Sequence, residues 1–103
     1  MTYKVLFTKS FNDDLDEAVG YISEILNNRD AAKKLLNKVS DIISILEDNP
    51  LIFPLYYEKE IAKEELRYAV IAHYLLFYRV DEKKRTVFLN RFLYGRQNIA
   101  DLF

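Results

Sequence analysis

Four arginines, Arg67, Arg79, Arg91 and Arg96, and two tyrosines among them, Tyr74 and Tyr94, are the side chains in this sequence most able to do chemistry. A guanidinium offers a planar fork of donors that fits phosphates and carboxylates, and a phenol adds a donor or, once ionised, a base. Such residues could bind an anionic partner or surround the phosphate of an RNA backbone. Arg91 stands apart because it interrupts an apolar run, with Val87-Phe88-Leu89 before it and Phe92-Leu93 after it. A charge within a sheet is costly unless it is paired. Arg91 is therefore either bridged to a helix carboxylate such as Glu17 or Glu24, or turned outward to recognise phosphates or an acidic partner.

Other chemistries lack residues to carry them. The chain has no cysteine, so disulfides, thiolate catalysis and cysteine-ligated metals are excluded. His73 is the only histidine, which leaves neither a zinc site nor a Ser/His/Asp set with support, and it reads as an exposed turn residue. Gly20 and Gly95 are isolated and form no phosphate-binding loop. The carboxylates gather at helix starts and in Glu58 to Glu65, where they read as solvated. No cofactor and no metal is expected.

The elements that must position these side chains follow from periodicity. Tyr3 to Phe7 reads as a short strand, after which Thr8 or Ser10 can cap a helix. Phe11, Leu15, Ala18, Val19, Ile22, Ile25 and Leu26 form one apolar stripe at helical spacing. Asn27-Asn28-Arg29 breaks that helix, and Asp30 is the expected cap of a second one carrying Ala32, Leu35, Leu36, Val39, Ile42, Ile43 and Leu46. Asn49-Pro50 ends it. Two such helices joined by about three residues predict an antiparallel αα-hairpin.

After Pro54 the period changes. Leu66 to Ile71, Tyr74 to Asp81 and Thr86 to Tyr94 read as consecutive strands, linked by Ala72-His73 and by Glu82 to Arg85. Tyr74 to Tyr78 is apolar on both faces, which predicts a central strand or a second face covered by something else. A short turn or helix follows Gly95. The expected fold is α+β, in the order β-α-α-β-β-β, with the hairpin packed on a mainly antiparallel sheet. The 103 residues, half of them hydrophobic and only four of them Gly or Pro, fit a single domain over residues 1–103.

The net charge of −1 conceals a split: residues 1–65 carry eight Lys/Arg against thirteen Asp/Glu, residues 66–103 seven against three. A basic second half can present a positive surface to an anionic partner. No apolar run is long enough to span a bilayer, and charges interrupt any leader-like stretch near the N-terminus. No membrane association and a cytoplasmic location are expected.

Leu66-Arg67, then Tyr74-Leu75-Leu76-Phe77-Tyr78-Arg79-Val80, then Arg91-Phe92-Leu93-Tyr94-Gly95-Arg96-Gln97-Asn98 resemble the pattern of the RelE/ParE toxin superfamily. The N-terminal strand, helical hairpin and Asn-Pro break stand in the same order. The resemblance implies the toxin of a two-gene type II toxin–antitoxin module, such as those that stabilise plasmids. A cognate antitoxin would neutralise it by wrapping its apolar and basic surfaces, including the second face of the Tyr74 to Tyr78 strand. It implies Arg67, Tyr74, Arg79, Arg91, Tyr94 and Arg96 as residues that bind the target or the antitoxin, with no sequence-specific DNA binding by the toxin alone. ParE-like members of the superfamily inhibit DNA gyrase without being nucleases. RelE-like members are metal-independent endoribonucleases that cut messenger RNA on the ribosome, a role for which Arg67, Arg91, Tyr94 and Arg96 would be the catalytic candidates. Leu75, where RelE-like sequences carry arginine, and Glu64-Glu65, where they carry lysines, place the chain closer to the ParE-like group.

Overall fold

The computed structural model describes residues 2–57, 64–96 and 99–102. The acidic stretch is described only from Glu64 on, and Gln97-Asn98 lie outside the described residues. In chain order the elements are β1 (Lys4–Phe7), α1 (Lys9–Gly20), a π-helical turn (Tyr21–Ile25), α2 (Arg29–Asp48), β2 (Arg67–Ile71), β3 (Tyr74–Asp81), β4 (Thr86–Tyr94) and a 3₁₀ turn (Ile99–Leu102). The sheet runs β1-β4-β3-β2. β2, β3 and β4 form an antiparallel meander, while β1 pairs parallel with β4 from Lys4↔Thr86 to Phe7↔Leu89. The α+β fold is therefore as expected, with a mixed sheet and the hairpin on one face.

Local chemistry explains the helix boundaries. Thr8 caps α1: its hydroxyl accepts from the Phe11 N–H at 3.2 Å and donates to the Leu89 carbonyl at 2.7 Å, fixing the end of β1 to β4 as well. The second helix is capped by Asn28, whose side-chain oxygen accepts from the Ala31 N–H at 3.0 Å. Asp30, the expected cap, lies instead in the first turn, where its carboxylate favours the helix dipole. Asn27 at φ 50° takes the chain between the two helices, a conformation that Asn tolerates.

The apolar stripe of the first helix departs from expectation at its end. Phe11 and Ala18 are buried, but Ile25 is 71% and Leu26 55% exposed. The cause is the π turn, closed by the Leu26 N–H on the Tyr21 carbonyl at 3.0 Å. An i→i+5 turn inserts a residue and rotates everything after it off the core face. In α2, Leu35, Val39 and Leu46 are buried, while Leu36, one residue round the helix from Leu35, is exposed.

The main core lies between hairpin and sheet: Phe11, Leu35, Val39 and Leu46 meet Ile71, Leu76, Tyr78, Val87, Leu89 and Phe92. β3 is the central strand, and its other face is also buried. There Phe77 packs with Leu66, Leu93 and Ile99 and, half-buried, Tyr56 and Leu102. Tyr56, Ile99 and Leu102 of the chain itself thus pack on the face expected to be covered by an antitoxin. A bulge lets β4 serve both clusters: Phe77 pairs with Arg91 and Tyr78 with Leu89, so Asn90 is the extra residue. It shifts the inward phase from Val87 and Leu89 to Phe92, and hides the alternation in the sequence.

Tyr78 and Arg67, opposite each other on β3 and β2, together hold the turn after α2. The buried Tyr78 hydroxyl donates to the Pro50 carbonyl at 2.7 Å, and the Arg67 guanidinium donates to the carbonyls of Phe53 at 2.7 Å and Leu51 at 3.3 Å. Removing the hydroxyl in Tyr78→Phe strands a buried acceptor, so denaturant unfolding should show a loss of about 1–2 kcal/mol. Burial pushes the Tyr78 hydroxyl up to about 12, against a smaller opposing effect of Arg67. The native chain then keeps a proton that the unfolded chain releases near pH ~10. Stability contributed below that pH should be lost as pH rises from about 10 through 12, and melting curves of Tyr78→Phe should fall less steeply across that window.

Candidate functional site

A groove with a volume of about 1320 Å³ opens where the hairpin passes over the end of the sheet. α1 and the π turn contribute Glu17, Tyr21 and Glu24, spaced so that they share one helical ridge; α2 contributes Ala31, Lys34, Leu35 and Lys38 by the same rule. Tyr74, Phe92 and Tyr94 at the paired ends of β3 and β4 complete it, with the Ala72-His73 turn at one end. Gly95 packs closely beside that turn. Its N–H donates to the His73 carbonyl at 2.8 Å, and a Cβ at this position would lie 3.3 Å from that oxygen.

Aromatic rings set the geometry of the groove. Tyr74 stacks on Phe92 at 4.9 Å between centroids and meets Tyr94 edge to face at 5.7 Å. The Tyr74 phenol is held above its ordinary pKa, first by burial and then by its neighbours Tyr94, Tyr21 and Glu17. At neutral pH it is a neutral donor.

Arg91 sits at the rim and is engaged. Beyond Leu89, β4 has no β1 residue beside it, so its edge would be open. Asp14 of α1 closes it: the carboxylate accepts from Arg91 Nε at 2.6 Å, Arg91 Nη2 at 3.1 Å and the Phe92 N–H at 3.0 Å. Arg91 Nη1 donates in turn to the Leu102 carbonyl. The side chains of Arg91 and Asp14 are 23% and 12% exposed, and the bond to Asp14 raises the pKa of the guanidinium further. The helix carboxylate that meets Arg91 is therefore Asp14, one turn before Glu17.

The side chains singled out in the sequence divide between places. Tyr74, Arg91 and Tyr94 converge on the groove. Arg96 is exposed in the turn that follows Gly95. Arg79 is exposed, with its guanidinium 4.8 Å above the Phe88 ring. Arg67 lies opposite Tyr78, four residues along β3 from Tyr74, a separation of roughly 13 Å. Sequence reasoning missed Tyr21, Lys34 and Lys38, and considered Glu17 and Glu24 only as partners for Arg91. Their signal was the i, i+4, i+7 spacing beside each apolar stripe.

A helical hairpin on a four-stranded sheet is a fold shared with solved toxin–antitoxin systems. It matches a structure described as the chromosomal ParDE TA system from P. aeruginosa, at a TM-score of 0.68 and 12% identity over 89% of this chain and 95% of that one. It also matches the toxin–antitoxin complex RelBE2 from Mycobacterium tuberculosis, at a TM-score of 0.59 and 20% identity over 91% and 99%. At these identities the likeness is one of fold. No curated protein matches the sequence. The model of the family described as ParE toxin of type II toxin-antitoxin system, parDE, matches residues 5–99, and the chain belongs to that family.

Proposed function

We propose that this chain is a growth-inhibiting toxin that acts by binding DNA gyrase, without catalysis, and is held inactive by a cognate antitoxin seated in the groove between hairpin and sheet. Membership of the ParE family supports the toxin role. The observation that carries the non-catalytic reading is the state of the arginines. Arg67 spends donors on the Leu51 and Phe53 carbonyls, and Arg91 spends Nε, Nη1 and Nη2 on Asp14 and the Leu102 carbonyl. Metal-free RNA cleavage needs cations free to surround a phosphate, together with an acid and a base. The groove supports the antitoxin part of the proposal, because Ile25, Leu26 and Tyr21 expose large apolar surface along it. Two solved structures similar in fold are described as toxin–antitoxin systems.

The second reading, a ribosome-dependent messenger ribonuclease, draws on Tyr94 and Arg96, both exposed and close together at the end of β4. Tyr94→Phe separates the two, since it removes only a hydroxyl from an exposed ring. Induced in a sensitive host, the variant should arrest growth within about twofold of the parent. Loss of toxicity from a chain with unchanged circular dichroism would favour the nuclease.

A further inference from the structure

The groove is polarised in charge as well as apolar. Glu17, Tyr21, Tyr74 and Tyr94 all line it, and the rings of Tyr74 and Tyr94 meet at 5.7 Å. Glu17 is exposed and, among the described residues, has no ion-pair partner, whereas Asp14 one turn earlier is taken by Arg91. The two lysines of the groove, Lys34 and Lys38, stand on the other helix. Tyrosine faces and an unpaired carboxylate share one ligand preference, a cation that is planar or weakly hydrated, and arginine best meets both demands.

We propose that Tyr21, Tyr74, Tyr94 and Glu17 form a receptor for a single arginine side chain of the segment that occupies the groove. This rests on the reading of the groove as the antitoxin surface. Glu17 supplies a carboxylate for the guanidinium fork and the tyrosine rings supply its stacking faces. Lys34 and Lys38 repel a second cation and meet an acidic flank of the same segment. This placement of charges would discriminate against an antitoxin whose arginine is displaced or replaced.

The receptor can be tested on the intact chain with N-acetyl-arginine methylamide, following the tyrosine ring resonances by NMR. Saturable shifts of Tyr74 and Tyr94 are expected. They should be absent with the norleucine analogue, lost in Glu17→Gln and retained in Ile25→Asp. Binding to the antitoxin encoded beside the toxin gene should weaken about tenfold in Glu17→Gln, the cost of one charge-assisted contact. Ile25→Asp, which places a charge on the apolar rim, should weaken it as well. If Glu17→Gln leaves both measurements unchanged while Ile25→Asp weakens antitoxin binding, the groove holds the antitoxin and the receptor is overturned. If Ile25→Asp has no effect on the antitoxin, the groove reading fails, and the receptor within the complex fails with it.

Discussion

Asp14→Ala is expected to destabilise the chain by about 3 kcal/mol, within the range for breaking one side of a largely buried ion pair. Three donors lose their acceptor at once: Nε and Nη2 of Arg91 and the N–H of Phe92. Each is at the β4 edge beyond the end of β1, where no strand can replace the carboxylate. For a domain of this size the melting temperature should fall by roughly 12–20 °C. Arg91→Ala should cost a similar amount, because the carboxylate is then left without its charge partner and the Leu102 carbonyl loses a donor. The two changes act on one contact, so the double variant should lose clearly less than their sum. Urea unfolding of all three chains measures this. A loss under about 1 kcal/mol for Asp14→Ala, or strict additivity, would show that Arg91 is not held by that pair.

Phe77→Ala is expected to cost about 3–5 kcal/mol, the range for deleting a fully buried aromatic. Phe77 has no exposed surface and centres the smaller cluster with Leu66, Leu93 and Ile99 on the face of the sheet away from the helices. Tyr56 meets its ring edge to face at 5.0 Å. If that face were an exposed surface awaiting an antitoxin, the loss would be small in the free chain and would appear only in the complex. Thermal denaturation of the free protein distinguishes the two, a shift of less than about 3 °C being the result that contradicts an internally covered face.

Most of the architecture was legible because period and breaks are strong in this chain. The change from a 3.6-residue to a two-residue pattern after Pro54, the Ala72-His73 link and Gly95 all mark real boundaries. What could not be read depended on geometry that leaves no period. A π turn closed by Leu26 on Tyr21 turns Ile25 and Leu26 outward, although their spacing continues the stripe. The bulge at Asn90 changes the inward phase of β4, so an alternating reading fails between Leu89 and Phe92. The parallel pairing of β1 with β4 depends on contacts more than eighty residues apart in sequence, such as Thr8 to Leu89 and Asn90.

Of the chemistry, the peculiarity of Arg91 was visible as a charge in an apolar run, and its pairing with a helix carboxylate was one of two open readings. Asp14 was not distinguishable from its acidic neighbours, because only the orientation of α1 against the β4 edge selects it. The groove was invisible for the same reason. Glu17 and Lys34 belong to different helices and come together only when the hairpin closes over Tyr74 and Tyr94.

A supercoiling assay with purified DNA gyrase and the purified chain tests the central claim most directly. Increasing toxin should progressively leave relaxed plasmid unsupercoiled or trap cleaved DNA, and prior mixing with the antitoxin should restore activity. Unimpaired supercoiling at a large molar excess of toxin, together with cleavage of ribosome-bound messages by the same preparation, would contradict it.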